Sequence, residues 1–151
     1  QNIDDLHERA GSSRVLHLHG ELRKLRSSID ESLIVPIDGW EQKPDQRAPD
    51  GSLLRPFVVF FGEGVPMFDR AARIAATADL MIVVGTSLAV YPAASLVRYI
   101  RPEVPVFLVD PGLPATSGIR NPVEHIRAGA AQGMPLLADR LIEEYGGRTS
   151  V

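Results

Sequence analysis

Four groups of residues have types and spacings that could do chemistry. The opening stretch, Gln1–Gly20, reads QNIDDLHERAGSSRVLHLHG and holds an amide pair, three acids and three of the four histidines. His19 precedes a glycine that can turn sharply. Imidazole is the side chain whose ordinary pKa lies nearest neutrality, which suits His19 to take a proton from a hydroxyl at physiological pH. His17 shares its face if the segment is a strand. A His-x-His pair can also begin a metal site, but no carboxylate or third histidine is spaced to complete one. His7 reads as packed in its helical turn and His125 as structural. Asp4 has two open roles, a cap over Leu6 and His7 or a ligand-binding carboxylate.

A second group, Gly85-Thr86-Ser87, closes an apolar run with a residue that admits close backbone approach and two hydroxyls. It reads either as the rim of an anion or nucleotide site at a following helix N-terminus or as an ordinary helix cap. Asp110 ends the next apolar run, where a dinucleotide fold carries the acid for a ribose hydroxyl, although no GxGxxG is present. The fourth group is Val59–Glu63, an apolar segment ending in Phe61, Gly62 and Glu63. On its residue types alone it reads as ordinary strand core.

These residues need elements to position them. Ile3, Leu6 and Ala10 fall at helical spacing, with Gly11 as a left-handed stop. Val15, Leu16 and Leu18 predict a buried strand with His19 at its carboxyl end. Residues 21–56 are polar and rich in turn signals (Asp38-Gly39, Lys43-Pro44, Pro49-Asp50-Gly51), with Trp40 a candidate core residue. Phe57–Phe61, Leu80–Val84 and Val104–Val109 predict buried strands. Helices are predicted over Phe68–Thr77, from Pro92 through Ile100, and over Pro135–Tyr145 with Leu137, Leu141 and Tyr145 facing inward. Alternation of strand and helix at this spacing predicts an α/β fold, a doubly wound, mostly parallel sheet of Rossmann-like type.

Composition narrows the function. A chain of 151 residues has room for one domain with a core. Its net charge of −3, with scattered Lys and Arg, argues against a nucleic-acid surface. No apolar run approaches a membrane span and no cleavable signal is visible. The absence of cysteine excludes disulfides and thiolate metal sites. A cytoplasmic protein is the expectation.

QNID, LHERAG and the closing HG resemble the catalytic core of the sirtuins, the NAD-dependent protein-lysine deacylases. RPFVVFFGEGVP (Arg55–Pro66), ADLMIVVGTSLAVYPAASL (Ala78–Leu96) and HIRAGAAQGMPLLADRLI (His125–Ile142) follow in the family's order. The resemblance implies a chain divided into 1–20, the catalytic motif; 21–56, a small insertion in place of the usual four-cysteine zinc module, here without zinc; 57–145, the rest of the Rossmann-like domain; and 146–151, a tail. It also implies a glycine-rich NAD-binding segment before Gln1, so that the chain is expected to be the C-terminal part of a longer protein.

By the same resemblance His19 is the general base, with Asn2 as its catalytic companion. Gln1, Asn2, Asp4, Gly85, Thr86, Ser87, Asp110 and Ala130 bind NAD as co-substrate. Asp110 stands where the family more often has Asn. Val59, Phe61, Gly62 and Glu63 receive the acylated lysine of a protein or peptide, with no nucleic acid or membrane partner. The implied reaction releases nicotinamide and O-acyl-ADP-ribose. Two alternatives stay open: an NAD glycohydrolase or ADP-ribosyltransferase, and a non-catalytic binder of acyl-lysine or ADP-ribose, the latter the expectation for these 151 residues by themselves.

Overall fold

In the computed structural model of the protein residues 1–146 are described, so all of the expected tail except Gly146 lies outside the described residues. They form two compact units, Gln1–Asp69 and a second beginning at Arg70.

The first unit opens with a one-turn helix, α1 (Leu6–Arg9), closed by Gly11 at φ +93° as its spacing predicts. An antiparallel sheet follows, of β1 (Gly20–Ser27), β2 (Ile34–Pro36) and β3 (Leu54–Val58) in the order β2-β1-β3. This corrects three expectations. Residues 21–56 are not simply loop; their sheet escaped notice because only Leu25, Ala48 and Leu54 are buried at its centre, with Val35 and Ile37 against them. Trp40 is 85% exposed and supplies no core. The run at Phe57 is not a buried strand through Phe61, because β3 stops at Val58 and Phe61 is 98% exposed.

Val15–Leu18 forms no strand either. A strand must exchange its backbone groups with a neighbour, and pairing begins only at Gly20, opposite Val58. His19 therefore lies in a turn that enters β1 rather than at a strand's carboxyl end. Gly20 is required there. Its φ is +88°, and a Cβ at that position would collide with the carbonyl oxygen of Phe57.

A buried hydroxyl ties the sheet together. Ser27 Oγ accepts the amides of Ile29 (3.0 Å) and Asp30 (2.9 Å), donates toward Asp50 Oδ2 (2.9 Å), and lies 2.7 Å from Ser52 Oγ. Asp50 Oδ1 in turn accepts both the amide (2.9 Å) and the hydroxyl (2.7 Å) of Ser52. Ser27→Ala leaves two backbone donors without their acceptor and Asp50 Oδ2 without its donor, and is expected to cost about 1–3 kcal/mol, measured by urea unfolding. The Asp50 carboxyl is held below its ordinary 3.8, first by the Ser52 hydroxyl and then by the Ser52 amide. A depressed carboxylate adds stability that is complete above the unfolded value and lost as pH falls through the folded one. Asp50→Asn should therefore lower stability at pH 7 and flatten its decline below pH 3.8, followed by thermal unfolding across pH.

The second unit is an α/β layer. After α2 (Phe68–Ala76), β4 (Met81–Val84), β5 (Val106–Val109) and β6 (Val123–Ile126) form a parallel, in-register sheet in the order β4-β5-β6. The residues of β5 alternate between two cores. Val106 and Leu108 pack with Ala75, Leu88, Ala94, Val97 and Ile100; Phe107 and Val109 pack with Leu137 and Leu141 of α3 (Ala130–Tyr145). Helical structure thus covers both faces, as a doubly wound fold requires.

Three details differ from expectation. The helix after Pro92 is a 3₁₀ helix, Ala93–Arg98. β6 lay unseen because its residues are polar or half-exposed. Helix α3 starts at Ala130 rather than Pro135, and Ala131, whose carbonyl Pro135 cannot bond, is exposed. Gly133 brings α3 close to the sheet: a Cβ there would lie 2.6 Å from Val109 Cγ1.

Candidate active site

In the first unit three segments converge on His19. The Leu22 amide donates to the Ile3 carbonyl (2.7 Å), fixing QNID beside β1, and the Val59 amide donates to the His19 carbonyl (2.9 Å), fixing the start of FFGE. His19 Nδ1 lies 3.1 Å from the Gln1 carbonyl oxygen. A carbonyl only accepts, so Nδ1 is the donor, and this tautomer of the imidazole has its lone pair on Nε2. That is the state a general base needs.

The other candidate residues of the opening stretch, and His125 in the second unit, take distinct roles. Asp4 Oδ1 accepts the Leu6 amide at 3.1 Å in a turn that leads into α1, whose N-cap residue is Asp5 without a side-chain cap bond, and its second oxygen stays outside that bond. Gln1 and Asn2 are exposed. His17 is structural: its Nε2 meets Glu8 Oε1 at 2.6 Å, and this bond is the first cause of the lowered Glu8 carboxyl pKa. His125 is structural too, its Nε2–H directed at the Asp110 carbonyl at 2.9 Å.

Beyond β3 the chain turns through Val59–Glu63. Gly62 takes φ +89°, and Glu63 accepts from Arg55 Nη1 (2.6 Å) and Nη2 (3.2 Å) and from the Phe60 amide (3.0 Å). The Arg55 guanidinium also lies 4.8 Å from the Phe60 ring centroid. Arg55 is a positioning residue the sequence did not disclose, since a pair eight apart in a strand and a turn follows no period. The brace leaves Phe61 projecting outward and Val59 half-buried.

In the second unit the predicted nucleotide residues sit at the carboxyl ends of β4, β5 and β6, the edge where open parallel sheets bind ligands. The Gly85 amide donates to the Val109 carbonyl (3.0 Å), and the Asp110 amide to the Ile126 carbonyl (3.2 Å). Gly85 has φ +60° and open space where a Cβ would stand. Thr86 and Ser87 cap no helix: Thr86 Oγ1 accepts the Leu88 amide (3.3 Å) within a turn, and the Ser87 side chain is exposed. Asp110 Oδ1 accepts the Gly112 amide at 2.7 Å. Ala130 is the exposed first residue of α3, after the extended Gly129.

A parallel sheet covered on both faces, with glycine, hydroxyl and acid groups at its strand ends, is the class of α/β fold that binds nucleotides. The chain belongs to the Sir2 family, whose model matches residues 1–92. It is 50% identical over 111 residues to an NAD-dependent protein deacylase of Aggregatibacter actinomycetemcomitans, covering 74% of this chain and 53% of that protein. A solved Sir2 homologue in complex with ADP ribose superposes with a TM-score of 0.83 at 35% identity, covering 99% of this chain and 61% of that one. A Sir2 structure bound to acetylated peptide gives 0.68 at 31% identity, covering 97% and 62%. The chain thus spans between half and two thirds of the length of these proteins.

The brace at Glu63 is open to test without any ligand. Glu63→Ala removes the acceptor of the Phe60 amide, so that amide should exchange with deuterium at least tenfold faster than in the parent, while amides of β5 keep their rates.

Proposed function

We propose that the protein is an NAD-dependent protein-lysine deacylase that uses NAD as co-substrate and acts on an acylated lysine of a peptide or protein. The observation that carries the reading is the hydrogen bond from His19 Nδ1 to Gln1, which presents Nε2 as a base. The names of the relatives and their ADP-ribose and acetyl-peptide complexes support it.

In this reading the acyl oxygen displaces nicotinamide from the anomeric carbon of the ribose. His19 Nε2 then takes the proton of a ribose hydroxyl, whose oxygen attacks the imidate carbon. Water completes the transfer, leaving free lysine and O-acyl-ADP-ribose. Gln1, Asn2 and the free oxygen of Asp4 face the nicotinamide side, with Asn2 holding the reacting end in place. Gly85, Thr86, Ser87 and Asp110 take the ribose and adenosine side, with Ala130 beside the adenine. Val59, Phe61, Gly62 and Glu63 hold the lysine stem and pair with the extended substrate.

Further NAD contacts are assigned to a glycine-rich segment that is not among the residues of this chain. The module over 21–56 is taken to work without zinc, held by its own serine–aspartate network. The domain division 1–20, 21–56 and 57–145 and a cytoplasmic setting belong to the same proposal.

The test is deacylation of an acetylated peptide by the full-length protein with NAD. His19→Ala should lower kcat by about 10²–10⁴-fold while peptide affinity, measured by calorimetry, stays within about twofold. Undiminished turnover would sink the role of His19. Nicotinamide release that is equal with and without peptide would identify a glycohydrolase or an ADP-ribosyltransferase instead.

A further inference from the structure

A cavity of about 420 Å³ opens in the second unit, lined by Val97, Arg98, Ile100, Pro102, Gly118, Arg120 and Asn121. It lies at the amino ends of the parallel strands. Ile100 and Pro102 precede β5, Asn121 precedes β6, and Val106 pairs with Val123 at that edge. Four residues of sheet, about 10 Å, separate it from the edge that carries Gly85 and Asp110. It is therefore distinct from the nucleotide residues described above.

Its electrostatics are one-sided. The nearby acids Asp79 and Glu103 are both taken by Arg101, at 3.2 and 3.0 Å. Arg98 and Arg120 have no ion pair among the described residues. Gly118 has φ +90° and lies against the Arg98 guanidinium, whose Nη2 is 3.4 Å from the position a Cβ would take, an ordinary van der Waals contact. Asn121 Nδ2 donates to the carbonyls of Arg101 (2.6 Å) and Val104 (3.0 Å), pinning the loop that carries Gly118 and Arg120.

Two guanidinium forks without carboxylates match a group with two negative charges and several acceptor oxygens. A phosphate monoester has both, with about −1.5 to −2 charge at pH 7. Val97, Ile100 and Pro102 supply an apolar floor beside the cations. The volume is that of a small-molecule site. We propose that this cavity binds a small organic phosphate monoester, its phosphate held by Arg98 and Arg120 and its apolar body seated on Val97, Ile100 and Pro102.

The probe is phenyl phosphate, titrated into the protein and followed by calorimetry and amide chemical shifts, with inorganic phosphate run in parallel. Saturable binding is expected, tighter for phenyl phosphate than for inorganic phosphate. Arg98→Gln and Arg120→Gln should each weaken it about tenfold or more, as loss of a charge-assisted hydrogen bond does. Arg127→Gln makes the same charge change just beyond the opposite end of β6, and should leave the affinity unchanged. Equal weakening by all three variants would reveal diffuse attraction and overturn the site. So would the absence of saturation at about 10 mM, an order of magnitude above ordinary small-ligand affinities. Phenyl phosphate no tighter than inorganic phosphate would overturn the apolar seat.

Discussion

Strand β5 is the constraint on which the second unit depends. Val106, Leu108 and Val109 are wholly buried, and the strand is bonded on both edges, to β4 and to β6. A buried backbone group left unpaired costs about 1–3 kcal/mol, so neither neighbour can slip without losing several such bonds at once. The two parallel ladders also hold the chain where the loops leave the sheet. The Gly85 amide is anchored on Val109 and the Asp110 amide on Ile126. The loops at this edge accordingly leave from fixed points, which is what polar residues of a binding edge need. The opposite edge inherits the same rigidity, and there Asn121 fastens the loop bearing Gly118 and Arg120.

The first unit solves a different problem, that of holding a half-buried imidazole in one tautomer on a turn. No single interaction does so. Gly20 permits the close approach of β1 to β3 that a side chain would prevent, and Val59 bonds the carbonyl of His19 itself. The backbone of His19 is thereby held from one side while its ring is read by Gln1 from the other. Because the acceptor is a main-chain carbonyl, the tautomer does not depend on which side chain stands at position 1. It depends on the path of the backbone there, which the bond from Leu22 to Ile3 steadies.

The second unit was largely legible in the sequence and the first was not, for physical reasons. Val104–Val109 announces itself because the central strand of a parallel sheet reads as a continuous apolar run. Leu80–Val84 carries such a run too, although β4 lies at the edge of β4-β5-β6 and is half-buried rather than buried. Leu137 and Leu141 declare the face of α3 by their spacing. β6 escaped because an edge strand with Glu124 and His125 carries no such run. Trp40 misled because hydrophobicity alone does not say that a residue finds a core. Phe61 misled in the same way, since a continuous apolar run cannot say where pairing stops. His19 stood out as a candidate by type and by the glycine after it. Its tautomer was not, because the partner is a carbonyl, which every residue has.

The small sheet of the first unit left a weak trace for a similar cause. Its apolar centre is only Leu25, Ala48 and Leu54, and beside it stand two copies of one local motif rather than an apolar stripe. Asp30 Oδ1 accepts the amide and hydroxyl of Ser32 at 2.9 and 2.7 Å, and Asp50 Oδ1 accepts those of Ser52 at the same distances. Ser27 joins the two turns, accepting from the Asp30 amide and bonding Asp50. Such Asp-x-Ser turns look like ordinary loop in sequence, because their residues favour turns wherever they occur. Their cooperation arises only when β1 and β3 bring Ser27 and Ser52 together out of water, where each bond is strengthened by low dielectric and each missing partner is costly. The end of β1 is thus fastened to the turn before β3 through serine hydroxyls, provided the Asp50 carboxylate stays ionised.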